Sequence, residues 1–138
     1  GRLVLAGIGS NIFDRDGSGT QAIVAGLEHV AAGGDPATLD TRVRLFTQYA
    51  GQPGNVLAAL TAVLKRAPAT AFTPDDCAAV GCPGLVVVGD QDFVYPADEL
   101  AAAFPNGRCE VLRGVDHFAT TEAFGFFDAA LEFLDAVC

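Results

Sequence analysis

A carboxylate and an imidazole occupy corresponding places in this chain, each just past a short apolar run. Leu85-Val86-Val87-Val88 leads into Gly89-Asp90-Gln91-Asp92, and Cys109 to Leu112 leads into Arg113-Gly114-Val115-Asp116-His117-Phe118. A buried carboxylate that accepts the imidazole Nδ1–H fixes the ring's tautomer and stabilises the imidazolium, leaving Nε2 to take a nucleophile's proton. Asp92 and His117 are 25 positions apart, enough for one helix and one strand, which would set the two loops side by side. Asp90 is the rival carboxylate within the same run, and otherwise a loop-bracing or solvated group. Asp116 reads as exposed and structural, and His29 as a surface or helix-packing residue, with substrate gating as its alternative role.

Other chemistries find less support in the residues. Asp14-Arg15-Asp16-Gly17-Ser18-Gly19 resembles the opening of a calcium loop, but the twelfth place, which needs a bidentate glutamate, falls on Ala25. Cys77 and Cys82 are separated by four residues with no second close pair for zinc, and Cys109 and Cys138 stand apart, so all four read as free, mostly buried thiols. After Gly7 and Gly9 the third glycine of a dinucleotide loop is replaced by Ile12. No metal or cofactor is expected. Phe46, Tyr49, Phe72 and Phe93 are candidates to line an apolar pocket for an acyl or alkyl group.

The elements that must position the acid and base follow from the apolar pattern. Leu3 to Gly7 and Leu85 to Val88 are unbroken apolar runs ending in glycine, as in strands buried on both faces, and Cys109 to Leu112 is a third strand. Between the first two, helical spacing predicts three helices across roughly 21–67. The first carries Ile23, Val24, Leu27, Val30 and Ala31. The second starts at Asp35-Pro36 and carries Leu39, Val43, Phe46 and Ala50, and the third carries Val56, Leu60, Val63 and Leu64. Pro96 is placed in the first turn of a short helix running to Phe104. From about Glu122, Phe124, Phe127, Leu131 and Leu134 form one face of a last helix, with Phe126, Ala130, Phe133 and Val137 beside it, a face wide enough to lie against a sheet. Strand, helix, strand, helix implies right-handed crossovers, a parallel sheet and an α/β architecture.

Composition agrees with one compact core. The 138 residues are 51% hydrophobic, with a mean hydropathy of +0.36. Seventeen acidic residues against eight basic ones give a net charge of −9, the wrong sign for a nucleic-acid binder. No apolar run approaches a membrane span and no signal peptide opens the chain, so a cytoplasmic protein without membrane contact is expected. There is no methionine, and Gly1-Arg2 runs straight into the first strand, as though the sequence were entered in mid-protein.

Val86-Val87-Val88-Gly89-Asp90-Gln91-Asp92, then Tyr95-Pro96, then Gly114-Val115-Asp116-His117-Phe118 and the aromatic last helix resemble the C-terminal part of an α/β-hydrolase. The resemblance implies a triad acid at Asp92 and a triad histidine at His117. It further implies that residues 1–9 and 83–138 are part of the hydrolase core, with 10–82 a helical cap or lid. The family's G-x-S-x-G nucleophile elbow is absent; Ser10 and Ser18 lack its spacing, and no aspartate or cysteine version replaces it.

The expected function is therefore that of the C-terminal half of a hydrolase acting on an ester, thioester, lactone or amide of a small-molecule substrate, with the nucleophile outside these residues. The alternative is a non-catalytic association module. In that reading the bare edge of Leu3–Gly7 pairs with a missing N-terminal half or with a second copy as a homodimer. A flavodoxin-like domain would need about two more strands than the sequence offers.

Overall fold

The computed structural model describes residues 1–13, 17–66 and 72–135, and the chain divides into two compact units. One comprises residues 1–15 and 70–138 and holds the sheet. The other, 16–69, is helical. The helical unit lies within the 10–82 segment expected from the sequence. Ile12, Phe13, Cys77 and Val80, apolar residues that flank the helical unit in sequence, pack with the core of the sheet unit.

In the sheet unit, β1 (Leu3–Ala6), β2 (Gly84–Gly89) and β3 (Arg108–Leu112) form a parallel sheet of order β1-β2-β3. Leu3 is aligned with Gly84, and Leu85 with Arg108. Every residue of β2 is buried, as its continuous apolar run requires of a central strand. Its side chains alternate between two cores. Val86 and Val88 pack with Leu100, Ala101 and Phe104 of the α5 (Asp98–Ala103) region and with Cys77 of α4 (Pro74–Ala78). Leu85 and Val87 pack with Leu112 and with Phe126, Ala129 and Phe133 of α6 (Phe124–Phe133). Arg2 ties the start of β1 to the end of α6, donating to the Phe133 carbonyl at 2.6 Å and pairing with Asp135.

The face of α6 that meets the sheet is not the one the spacing picked out. Phe126, Ala129 and Phe133 are the residues that pack, whereas Phe124, Phe127, Leu131 and Leu134 are exposed, Phe124 by 88%. Apolar residues lie nearly all round this helix, so periodicity shows a stripe without choosing which one is covered. Val137 lies outside the described residues. The expected helix from Pro96 begins later, at Asp98; Pro96 follows a cis peptide bond and precedes the helix. The short helix α4 has no apolar period to announce it, but Thr73 and Asp76 cap it reciprocally and Pro74 opens it.

The helical unit contains α1 (Ser18–Ala31), α2 (Thr41–Ala50) and α3 (Leu57–Leu64) around Ile23, Leu27, Val43 and Ala50, with Leu39, Phe46, Leu57, Leu60 and Leu64 packed against them. The expected second helix is split. Asp35 caps only a single 3₁₀ turn over Pro36–Thr38, its side chain accepting from the Ala37 N–H at 2.9 Å. Leu39 is then extended, and Asp40 starts α2 afresh by accepting from the Val43 N–H at 3.0 Å. None of the helices among the described residues is long and apolar enough to cross a membrane.

Candidate active site

Parallel strands present the ends of their loops on one side of a sheet, and the loops following β2 and β3 meet there. Asp90 N–H donates to the Leu112 carbonyl at 2.9 Å and Gln91 N–H to the Val115 carbonyl at 3.1 Å, stitching the two loops together. Gly89 makes the approach possible: a Cβ at that position would lie 1.9 Å from the Val115 carbonyl oxygen.

Asp92 folds back into a tight turn. Its Oδ1 accepts from the Val94 N–H at 3.0 Å, and its carbonyl accepts from the Tyr95 N–H at 3.1 Å. This turn buries the carboxylate completely and points it at the next loop. His117 Nδ1 stands 3.1 Å from both Asp92 oxygens. The imidazole side chain remains 27% exposed, so the pair joins a buried anion to a ring that solvent can reach. An Nδ1–H donated to this carboxylate puts the unprotonated nitrogen of a neutral imidazole at Nε2.

Three further groups shape the pair. Phe93, carried out of the Asp92 turn, lies against His117 with ring centroids 4.3 Å apart at 37°, and Phe118 meets the same imidazole edge-on at 5.4 Å. Gly7, just past β1 and at φ +64°, is the third; a Cβ there would be 3.7 Å from His117 Nδ1 and 4.0 Å from Asp92 Oδ2. The end of β1 therefore forms a wall of the site. In the sequence Gly7 shows only as a strand end, marked by its place directly after an apolar run.

The remaining candidates take other places. Asp90 is a brace, accepting from the Gly114 N–H at 2.7 Å. Asp116 builds the turn that carries His117, accepting from the N–H groups of Phe118 at 3.0 Å and Ala119 at 2.9 Å, while its carbonyl accepts from the buried Thr120 hydroxyl. His29, in the helical unit, has its Nε2 3.3 Å from the Asp35 carbonyl and 3.4 Å from the Thr38 hydroxyl.

Among the aromatics named for a pocket, Phe93 reaches the pair, Phe46 packs in the helical unit's own core, and Tyr49 and Phe72 are about half exposed. The suggested calcium loop lies partly outside the described residues, since Asp14 to Asp16 are not described. Cys77, Cys82 and Cys109 are free thiols. Burial pushes the Cys77 thiol up, aided by Asp76, and burial with Asp98 and Glu110 does the same to Cys109, which disfavours the reactive thiolate at both.

The fold is shared with known structures. Over 99% of its length the chain superimposes on BpoC of Mycobacterium tuberculosis, to which a non-heme bromoperoxidase activity has been attributed, with a TM-score of 0.61 and 24% identity. A hydrolase from Pseudomonas aeruginosa matches 96% of the chain with a TM-score of 0.54 and 22% identity. A marine microorganism esterase matches 96% with a TM-score of 0.52 and 14% identity. The fold is that of the α/β-hydrolases. The chain spans only 58%, 55% and 60% of these three structures, so it is part of an α/β-hydrolase fold. No protein-family model matches the sequence, and no curated protein matches it significantly.

Proposed function

We propose that this chain supplies the base and the orienting acid of a hydrolase that cleaves an ester, thioester, lactone or amide bond. The observation that carries the reading is the 3.1 Å approach of His117 Nδ1 to a fully buried Asp92 carboxylate at the carboxyl ends of neighbouring parallel strands. In this reading His117 Nε2 removes the proton of a nucleophile supplied from outside these residues, then returns it to the leaving group. Asp92 holds the tautomer and stabilises the imidazolium. The helical unit is the cap of the complete enzyme, and Phe93 faces a small-molecule substrate.

The test is hydrolysis of p-nitrophenyl acetate by the 138-residue chain alone and joined to an α/β-hydrolase N-terminal half bearing a serine elbow. Turnover that appears on joining and disappears in His117→Ala is expected. Equal turnover by the isolated chain, unchanged in His117→Ala, contradicts the proposal.

A second reading, association without catalysis, is favoured by a contrast between the sheet's two edges. The β3 edge carries Arg108 and Glu110, charges of the kind that discourage strand addition, whereas β1 offers Leu3, Val4, Leu5 and Ala6, all half-buried and hydrogen-bonded on one side to β2. A homodimer through Leu3–Gly7, or binding of an N-terminal half without gain of hydrolysis, would support this reading. A monomer at micromolar concentration by sedimentation speaks against it.

A further inference from the structure

We propose that Phe93 is a positioning residue that pins the His117 imidazole against Asp92, an inference that rests on the acid–base reading of that pair. A histidine side chain turns about two bonds, and the contact of Nδ1 with the two Asp92 oxygens holds one edge of the ring. Two aromatic neighbours lie against the rest of it. Phe93 covers the ring at a 4.3 Å centroid distance, near the offset-stacked arrangement, and Phe118 closes another side with its ring nearly perpendicular at 89°.

Phe93 holds its place through the carboxylate itself. Asp92 Oδ1 accepts the Val94 N–H across Phe93, so the turn that aims the carboxylate also lifts the Phe93 ring over the imidazole. One short segment thereby sets both the acceptor of the Nδ1 proton and the surface that keeps the ring facing it. Phe93 is 42% exposed although it is a large apolar residue next to the buried Asp92 and Val94. Its ring covers the imidazole and is not among the residues of the neighbouring core.

The test uses the intact 138-residue chain and measures solvent exchange of the His117 Nδ1–H by nuclear magnetic resonance at constant pH. Exchange requires the imidazole to swing away from Asp92, so it reports the population that Phe93 suppresses. Phe93→Leu keeps apolar bulk and removes the aromatic face; exchange should accelerate roughly threefold to tenfold, the equilibrium ratio of one aromatic pair. Phe93→Tyr should restore the wild-type rate. Unchanged backbone amide resonances of β2 and β3, in the same unit as Phe93, certify that each variant is folded.

An unaltered rate in Phe93→Leu overturns the proposal, as does a wild-type spectrum with no through-space contact between the Phe93 ring and the His117 Cε1 proton. Asp92→Asn separates the acid–base pair from the role of Phe93. If the Nδ1–H resonance is the same in Asp92→Asn as in the wild type, the pair itself is refuted and the proposal falls with it. If Asp92→Asn shifts that resonance while Phe93→Leu leaves exchange alone, the pair stands and only the role of Phe93 is lost.

Discussion

The two histidines of this chain, one in each unit, have the same side chain and different surroundings. His29 ends α1 at the surface, touching a carbonyl and a hydroxyl of the turn that Asp35 caps, so water could replace either partner at little cost. His117 faces a carboxylate with no solvent exposure and lies between two aromatic rings. The difference comes from the elements beneath them. An exposed helix end offers its own loose polar groups to whatever is near. Parallel strands deliver separate loops to one side of a sheet, where a residue from one can be buried against a residue from another.

The strongest way to break this comparison is through activity. In the joined enzyme, Asp92→Asn should lower ester hydrolysis by roughly 10³- to 10⁴-fold, the order found when a triad carboxylate loses its charge. His29→Gln should leave the rate within a factor of about two. Equal effects of the two substitutions would show that the contrast has no chemical meaning.

Stability sharpens the same comparison. Leu27 in the helical unit is 1% exposed, and Leu27→Ala should cost about 2–5 kcal/mol by thermal or denaturant unfolding. Phe124→Ala, at the 88% exposed start of α6, should stay within about 0.5 kcal/mol. Next comes a pair of glycines. Gly89→Ala sets a methyl 1.9 Å from the Val115 carbonyl oxygen, a backbone clash that should cost about 1–3 kcal/mol and also disturb the His117 resonances. Gly34→Ala meets the His29 ring at 2.3 Å, but that ring is an exposed side chain that can swing away, so the loss should not exceed about 1 kcal/mol.

The smallest effect concerns pH. Side-chain and backbone hydrogen bonds from Thr73 hold the Asp76 carboxyl below its usual range. Its folded pKa is thus depressed, and its stabilisation is present above the unfolded value near 3.8 and lost as pH falls through the lower folded value. Asp76→Asn should flatten that part of the stability curve and leave neutral pH nearly unaffected.

Much of this was legible in the sequence, for reasons that differ from element to element. The four-residue apolar run Leu85–Val88 has only one comfortable environment, the centre of a parallel sheet, and that placement sets where Asp92 must emerge. Asp92 and His117 could be paired because one helix and one strand separate them. The split at Leu39 was hidden because Asp35 and Asp40 are both competent caps, and spacing alone cannot say which of them opens the longer helix. The covered face of α6 was hidden because Phe124 and Phe126 are equally apolar. Only contact with Leu85, Val87 and Leu112 distinguishes them. The Phe93 stack and the wall at Gly7 depend on how three loops converge, which no local pattern encodes.

The proposed chemistry depends on which nitrogen of His117 carries the proton when the ring is neutral. The ¹⁵N chemical shifts of the neutral His117 ring answer this in the intact chain. A protonated Nδ1 and an unprotonated Nε2, with the pattern altered by Asp92→Asn, is the predicted result. A neutral ring protonated at Nε2, indifferent to Asp92, would contradict it.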